Sequence, residues 1–162
     1  MPSRLLLASA IAGLSVLAAA CGGTTASATA SPAASPPPSP ASSATTIAVA
    51  ANAKLGQILV DGKGRTVYLF VADTAPSSTC YTSCATVWPP VFTSDAPAAG
   101  TGANPALLGT TTRTDGKVEV TYAGHPLYYF VEDKAPGDTT GQGVNGFGAL
   151  WWVVGPSGAA VR

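Results

Sequence analysis

The sequence predicts an all-β domain, a small sandwich or barrel-like fold built from two pseudo-symmetric repeats, with at most one short helix near residues 80–87. The first observation is a repeat, since residues 56–76 and 116–136 align without a gap and nine of their 21 positions are identical. The second is that short runs of branched and aromatic residues alternate with turns rich in glycine and proline, which is typical of strands joined by tight turns. The repeat indicates one supersecondary unit present twice, each copy covering the apolar face of the other.

Equivalent strand pairs are expected in the two copies, because residues 118–122 alternate with period two and residues 127–131 form an aromatic and branched run. The predicted strands are 56–60, 66–71, 107–112, 118–122, 127–131 and 149–154. This pattern places the Y-x-F sequence on the second strand of each hairpin, with Tyr68 and Phe70 on one face in the first copy. Tyr128 and Phe130 take the same places in the second copy.

Residues 1–20 have the layout of a lipoprotein signal peptide, with a positive start, an apolar stretch and small residues before a cysteine. The apolar stretch at 5–20 is shorter than the roughly 20 residues that a spanning helix needs. The sequence LAAAC resembles the site at which signal peptidase II cuts before a lipid-bearing cysteine, so Cys21 is predicted to be lipidated. The protein is then expected at the cell membrane, lipid-anchored on its extracytoplasmic face; secretion after cleavage at Ala-x-Ala is the alternative.

Residues 21–46 are predicted to be the lipidated cysteine and a disordered tether, because 22–46 contain only Gly, Ala, Ser, Thr and Pro. Residues 47–162 then form a single β domain of two repeats, about 47–95 and 107–158. Losing residues 1–20 removes Arg4, which leaves 8 − 1 = 7 basic side chains against 8 acidic ones. This balance predicts no nucleic-acid partner and leaves contact with the membrane to the lipid.

Cys80 and Cys84 remain once Cys21 is assigned to the lipid. Outside the cytoplasm such a pair usually oxidises. A C-x-x-x-C spacing on a helical turn or tight loop brings the Cα atoms within reach of a disulfide. The helical turn at 80–87 is expected to end before Pro89 and Pro90. Copper binding or redox cycling by the two cysteines stays open as an alternative.

The two Y-x-F-x-x-D copies occur together with three further motifs. These are C-x-x-x-C-x-x-x-W-P-P at 80–90, Y-x-G-H-P-L-Y at 122–128, and P-G-D-T-x-G-Q-G at 136–143 before a tryptophan strand. In combination they resemble the bacterial secreted-repeat predicted lipoproteins that are named for a Yx(F/W/Y)xxD motif, over essentially all of residues 55–156. The resemblance implies a tandem β repeat outside the cytoplasm and brings no settled enzymatic activity.

The aromatic side chains of the motif have two interpretations. Tyr68, Phe70, Tyr128 and Phe130 are expected to pack in the core, with each tyrosine hydroxyl bonded locally. A surface on which a ligand stacks is the alternative. Trp151 and Trp152 lie on opposite sides of their strand, so one of them could be exposed and bind a glycan or a protein.

The charged candidates are Asp73, Asp133 and His125. The two aspartates are expected to accept backbone N–H groups of the D-x-A-P corners, with a role as metal ligand or acid as the alternative. His125 is the only histidine and takes the place that Arg65 holds in the first copy. It is a candidate ligand for a metal or haem, although a lone histidine in a turn is usually solvated.

These observations predict a non-catalytic binding or interaction module at the cell envelope, with no cofactor. An envelope protein or a glycan is the expected partner. The alternative function is a redox or metal-handling lipoprotein, in which Cys80, Cys84 and His125 serve copper, haem or electron transfer.

Overall fold

The computed structural model describes residues 44–162, in which short strands predominate. The elements are β1 (Thr46–Asn52), β2 (Gly56–Asp61), β3 (Tyr68–Phe70), α1 (Ser83–Val87), β4 (Ala98–Ala99), a 3-10 turn (Pro105–Leu107), β5 (Leu108–Thr112), β6 (Val118–Tyr122), β7 (His125–Pro126), β8 (Asn145–Gly146) and β9 (Ala149–Val153). The prediction of an all-β fold is confirmed. Within residues 44–162, no helix has the length and apolar character needed to cross a membrane.

The strands form three small sheets, with the orders β2-β1-β4, β3-β9-β8 and β5-β6-β7. The antiparallel pair β1–β2 of the first repeat corresponds to the antiparallel pair β5–β6 of the second. Strand β1 is not among the predicted strands, and its first residue, Thr46, lies inside the expected tether. The predicted signal peptide, Cys21 and most of that tether lie outside the described residues.

The Y-x-F segment of the first repeat pairs with the second repeat, not with its own hairpin. In β3, Tyr68 lies opposite Val153 of β9 and Phe70 lies opposite Trp151. Contact with β2 is limited to the entry of this segment, where the N–H of Val67 donates to the carbonyl of Leu59. The prediction that Y-x-F is the second strand of a hairpin is therefore wrong, because β3 leaves β2 to join the other repeat.

The second Y-x-F segment also crosses between repeats but forms no regular strand. The N–H of Tyr129 donates to the carbonyl of Pro89, and that of Val131 donates to the carbonyl of Val87. Pro89 and Pro90 have no N–H to return, so the ladder is incomplete. The strand predicted at 127–131 is therefore replaced by isolated bridges from Tyr128 to Tyr68 and to Pro90, and β7 covers only the two residues before it.

Both repeats contribute to both hydrophobic clusters of the core. One cluster comprises Ile58, Val60, Tyr68, Phe70, Cys80, Cys84, Trp88, Tyr128, Trp151 and Val153. The other comprises Ile47, Leu59, Val67, Leu69, Val91, Val120, Tyr122, Leu127 and Val154. Neither repeat can bury these side chains alone, which explains why the unit occurs twice.

The single helical turn α1 is held by a disulfide between Cys80 and Cys84, whose Cα atoms are 5.2 Å apart. The predicted disulfide is confirmed. The turn ends at Val87, just before the Trp88-Pro89-Pro90 sequence, and the N–H of Trp88 donates to the carbonyl of Cys84. This arrangement fixes the entry of Trp88 into the core.

Candidate functional site

Four aromatic rings are stacked across the interface between the repeats, in the order Phe70, Trp151, Trp88 and Phe130. The centroids of successive rings are 4.0, 4.0 and 4.2 Å apart. The edge of Tyr68 meets Trp88 at 5.4 Å, and the edge of Tyr128 meets Trp151 at 5.1 Å. The pseudo-twofold axis therefore passes between the two tryptophans, and the motif aromatics flank them in the core.

The tyrosine and the aspartate of the motif are hydrogen-bonded between repeats. The hydroxyl of Tyr68 donates to Oδ2 of Asp133 at 2.7 Å, and that of Tyr128 donates to Oδ2 of Asp73 at 2.6 Å. We call these two bonds the cross-repeat clasps. They differ from the expected local bonding of the hydroxyls, because each partner is more than fifty residues away.

The second carboxylate oxygen of each aspartate binds a threonine further along its own loop. Oδ1 of Asp73 accepts from the N–H and hydroxyl of Thr79, and Oδ1 of Asp133 accepts from those of Thr140. These acceptor bonds differ from the predicted ones, which lay within the D-x-A-P corners. Each aspartate closes a loop and binds the opposite repeat at once.

Gly141 continues the Tyr68 clasp. Its N–H donates to the Tyr68 hydroxyl at 3.3 Å. A Cβ atom at this position would lie 2.8 Å from the Trp88 ring and 2.9 Å from the Tyr68 ring, so only glycine fits without a shift in the core.

Both clasp tyrosines are held in the protonated, donating form. Burial, followed by the hydrogen bond and charge of Asp133, raises the pKa of Tyr68. Burial, followed by the charge of Glu119 and the hydrogen bond to Asp73, raises the pKa of Tyr128. A phenol with a raised pKa stays protonated near neutral pH, so neither tyrosine is suited to act as a general base.

A buried ion pair lies beside the Tyr128 clasp. Arg113 donates to Oε2 of Glu119 at 2.8 Å and to the carbonyl of Cys80 at 2.6 Å. It also donates to the hydroxyl of Ser78, which is 2.7 Å from the Tyr128 hydroxyl. Glu119 is fully buried, and its Oε1 has no hydrogen-bond partner among residues 44–162. Burial outweighs the attraction of Arg113 and raises the pKa of Glu119 to about 7.

The free energy of unfolding is expected to increase as the pH falls from about 8 to about 5, because Glu119 binds its proton more tightly in the folded chain. The pKa rises from 4.5 to about 7 on folding. This contribution is therefore fully present below the unfolded value and is lost as the pH rises through the folded one. At about 1.4 kcal/mol per pKa unit the full shift is worth about 3.5 kcal/mol, of which roughly 2.5 kcal/mol falls between pH 8 and pH 5. Urea unfolding across this pH range measures it.

The variant Glu119→Gln should flatten this pH dependence, whereas Glu132→Gln, which changes an exposed side chain, should preserve it. A flat profile for the unmodified chain would contradict the prediction. At lower pH the trend should reverse, because the pKa of Asp61 is lowered from 3.8. Burial acts to raise it, but backbone N–H groups of Arg65 and Lys63 and the Arg65 guanidinium outweigh burial. The stability that Asp61 contributes is lost as the pH falls below that value.

The residues that could serve a redox function have different roles in the fold. Cys80 and Cys84 form the disulfide, and Cys80 is completely buried. His125 lies half-buried in β7, opposite Tyr122. Within residues 44–162, no three His, Cys, Asp or Glu side chains are grouped closely enough to hold a metal ion.

Two surface pockets are related by the repeat. One has a volume of about 270 Å³ and the other about 260 Å³. The first, the Arg65 pocket, is lined among others by Arg65, Tyr129, Phe130, Val131 and Asp133. The second, the His125 pocket, is lined among others by His125, Leu69, Phe70, Val71 and Asp73. Each combines the motif segment of one repeat with the residue at the 65/125 position of the other.

The Arg65 pocket adjoins a larger cavity of about 640 Å³. The two share Arg65, Pro89 and Tyr129. The Arg65 guanidinium lies 3.8 Å from the centroid of the Tyr129 ring, and its Nε donates to Oδ2 of Asp61 at 2.8 Å. Tyr129 donates its hydroxyl to the same oxygen at 3.1 Å.

Sequence reasoning did not identify Tyr129, Arg113 or Glu119 as site residues. Arg65 carried one signal, its alignment with His125. Glu119 carried a misleading one, because its place in the alternating sequence V-E-V-T-Y predicts a solvent-facing side chain. Trp151 is fully buried and Trp152 is half-buried against the second cluster, so the tryptophan pair offers no fully exposed ring.

A family model described as a secreted repeat of unknown function matches residues 49–92 and 109–155. The two matched segments correspond to the two repeats. No curated protein and no solved structure matches the chain.

Proposed function

Since this chain belongs to the family of secreted repeats of unknown function, we propose that it is a lipid-anchored, non-catalytic binding module on the outer face of the cell membrane. The family description supports a place outside the cytoplasm. The anchor, the binding role and the lack of catalysis are the proposal.

The observation that carries this proposal is that the motif side chains are engaged with one another. Each cross-repeat clasp binds one tyrosine to one aspartate. A threonine donates to the other oxygen of each aspartate. A catalytic carboxylate or phenol needs a free face toward a substrate. A motif used for assembly leaves the surface pockets as the part of the domain that meets other molecules.

The anchor rests on Cys21 and on the composition that follows it. A tether of 22 residues at 22–43, ahead of the described domain, would reach about 68 Å if fully extended as polyproline II. With this reach the domain could contact envelope components well beyond the membrane surface.

Cys21→Ser should abolish incorporation of a radiolabelled fatty acid into the protein, because Cys21 is the proposed acceptor of the lipid. Metabolic labelling followed by immunoprecipitation measures this. Ser15→Ala, a change within the apolar stretch, is the matched control and should still incorporate the label. A Cys21→Ser protein that incorporates as much label as the unmodified chain would refute the anchor.

A redox or metal-handling function is the second candidate, and the stacked rings favour it. The Trp88–Trp151 stack is flanked by hydrogen-bonded tyrosines, and the Cys80–Cys84 disulfide packs in the same cluster. Thiol counting and elemental analysis of Cys21→Ser protein, before and after loading with copper or haem, separate the two functions. Stoichiometric metal or haem that is lost in His125→Ala would favour the redox function.

A further inference from the structure

The first described residues of the chain lie in the cavity of about 640 Å³, which we call the Phe92 cavity. Ala44 and Thr45 line one side of it, and Phe92 and Tyr129 are among the residues that line the rest. The Thr45 hydroxyl donates to the carbonyl of Phe92 at 2.7 Å. Whatever course residues 22–43 take, the chain therefore reaches the domain through this cavity.

The wall of the Phe92 cavity presents apolar rings. Phe92 and Tyr129 lie in it together with Pro89 and Pro90. Phe92 keeps 40% of its surface exposed, even though the ammonium of Lys117 lies 5.0 Å from its ring centroid. Grooves lined by aromatic side chains are the usual binding sites of polyproline II segments, so this wall is suited to prolines.

The segment that leads to this cavity contains a proline run. Residues 35–40 read Ser-Pro-Pro-Pro-Ser-Pro, and only residues 41–43 separate them from Ala44. Consecutive prolines favour polyproline II, a conformation that is largely set before binding and loses little entropy on binding. The four residue steps from 40 to 44 span at most about 14 Å. The proline run therefore lies close to the cavity.

The polar groups of the cavity and of the proline run are also compatible. Proline has no N–H, and a polyproline II segment forms no internal hydrogen bonds, so the run offers its carbonyl groups as acceptors. Asp61 pairs with Arg65 in the cavity wall. Lys63 lies in the same wall and forms no ion pair with the part of the chain that the structure describes. Its ammonium group is therefore available to donate to a carbonyl of the run.

From these observations we propose that the proline run of this chain, residues 35–40, docks in the Phe92 cavity on the rings of Phe92 and Tyr129. The short link to Ala44 holds the run at an effective concentration of about millimolar. A contact of modest intrinsic affinity is therefore formed within one molecule. The docking itself does not depend on the lipid anchor.

Docking shortens the tether. With the proline run held at the domain, residues 22–34 alone connect Cys21 to it and reach about 40 Å, against about 68 Å for residues 22–43. This consequence rests on the proposed anchored binding module. It couples binding to position, because a proline-rich segment of another molecule that displaced the run would also release the domain to its full distance from the membrane.

The test is nuclear Overhauser spectroscopy on the isotope-labelled full chain in a zwitterionic detergent. The proline δ-protons of residues 36–38 should give cross-peaks to the ring protons of Phe92 or Tyr129. Relative to cross-peaks within single residues, their intensity should not change on tenfold dilution, since the contact lies within one molecule. The absence of these cross-peaks would refute the docking. Their loss on dilution would assign the contact to a second copy and overturn the intramolecular docking.

Phe92→Ala should remove the proline cross-peaks to Tyr129 as well, because the two rings form one surface. Phe147→Ala is the matched control, since Phe147 is 49% exposed and does not line the cavity, and it should keep them. The far-UV circular dichroism of both variants should match that of the unmodified chain. Cross-peaks that persist in Phe92→Ala, or that are lost equally in Phe147→Ala, would refute this site.

The variant with Pro36→Ala, Pro37→Ala and Pro38→Ala changes no residue of the described domain and should empty the cavity. The hexapeptide Ser-Pro-Pro-Pro-Ser-Pro should then bind this variant at least threefold more tightly than it binds the unmodified chain, where the tether competes. Shifts of the amide signals of residues 61–65 measure this binding. Pro32→Ala, which lies outside the proline run, is the matched control and should bind the peptide as the unmodified chain does.

Equal affinity of the peptide for the triple variant and the unmodified chain would overturn the intramolecular docking. No binding to either protein would refute the cavity as a site for prolines. The proposed anchor would fail through a separate result, the incorporation of fatty acid into Cys21→Ser protein.

Discussion

Trp151→Ala and Trp88→Ala are each expected to lower the free energy of unfolding by about 3–5 kcal/mol, which is the usual cost of truncating a buried tryptophan. Both side chains are at most 1% exposed and stack on each other with centroids 4.0 Å apart. Each also stacks on a motif phenylalanine of the opposite repeat. The loss therefore affects both repeats at once. Urea unfolding monitored by far-UV circular dichroism measures it.

Trp152→Ala provides a matched control, because Trp152 is the next residue of β9 and points away from the stack. Its half-buried ring should cost clearly less, about 1–2 kcal/mol, in proportion to the smaller apolar area that it buries. Similar losses for Trp88→Ala and Trp151→Ala would support equivalent roles about the pseudo-twofold axis. A loss in Trp152→Ala as large as in Trp151→Ala would contradict the central position of the stack.

The local features of the fold are predictable from the sequence. The β6 strand occurs at 118–122 as predicted, and the Cys80–Cys84 disulfide and the short helical turn near it are present. These features depend on residues close together in the chain, where alternation, spacing and proline positions carry the information. The repeat itself is a sequence identity and needs no structure to be seen.

The features that were missed depend on contacts between distant residues. Tyr128 donates to Asp73, 55 residues away, and no local pattern distinguishes that partner from the aspartate five residues after Tyr128. Glu119 is buried because Arg113 reaches it, and a pairing of this kind overrides the alternation of the strand. The missed β1 strand is rich in alanine, which has a low strand propensity, and pairing with β2 compensates for this.

The surface pockets also depend on contacts between residues that are distant in the sequence. Each of the two related surface pockets is lined by side chains from both repeats, so neither copy of the motif contains it. Arg65 aligns with His125 in the sequence, but only the fold places Arg65 against Tyr129. The two related pockets differ chemically at the aligned positions 65/125 and 69/129.

The variant with both Tyr68→Phe and Tyr128→Phe is expected to lose about 3–6 kcal/mol, because each hydrogen bond to a charged group contributes about 1.5–3 kcal/mol. Each substitution leaves an aspartate Oδ2 without its tyrosine donor, while the ring and its packing stay. Equilibrium urea unfolding measures the loss in the two single variants and the double variant. Tyr81→Phe is the matched control, since the Tyr81 hydroxyl only accepts an exposed bond from the Thr114 N–H at 3.2 Å, and it should change stability by less than about 0.5 kcal/mol.

A double-mutant cycle distinguishes a clasp between repeats from a bond within one repeat. Tyr128→Phe combined with Asp73→Asn should show a coupling energy of about 1–2 kcal/mol, since residues in one hydrogen-bond network are not additive. Tyr128→Phe combined with Asp133→Asn should be nearly additive, because these residues belong to different clasps. The opposite result, coupling of Tyr128 to Asp133 and none to Asp73, would assign the motif to each repeat alone. Coupling across the repeats would mean that Tyr and Asp recur in both copies because each copy supplies what the other needs to fold.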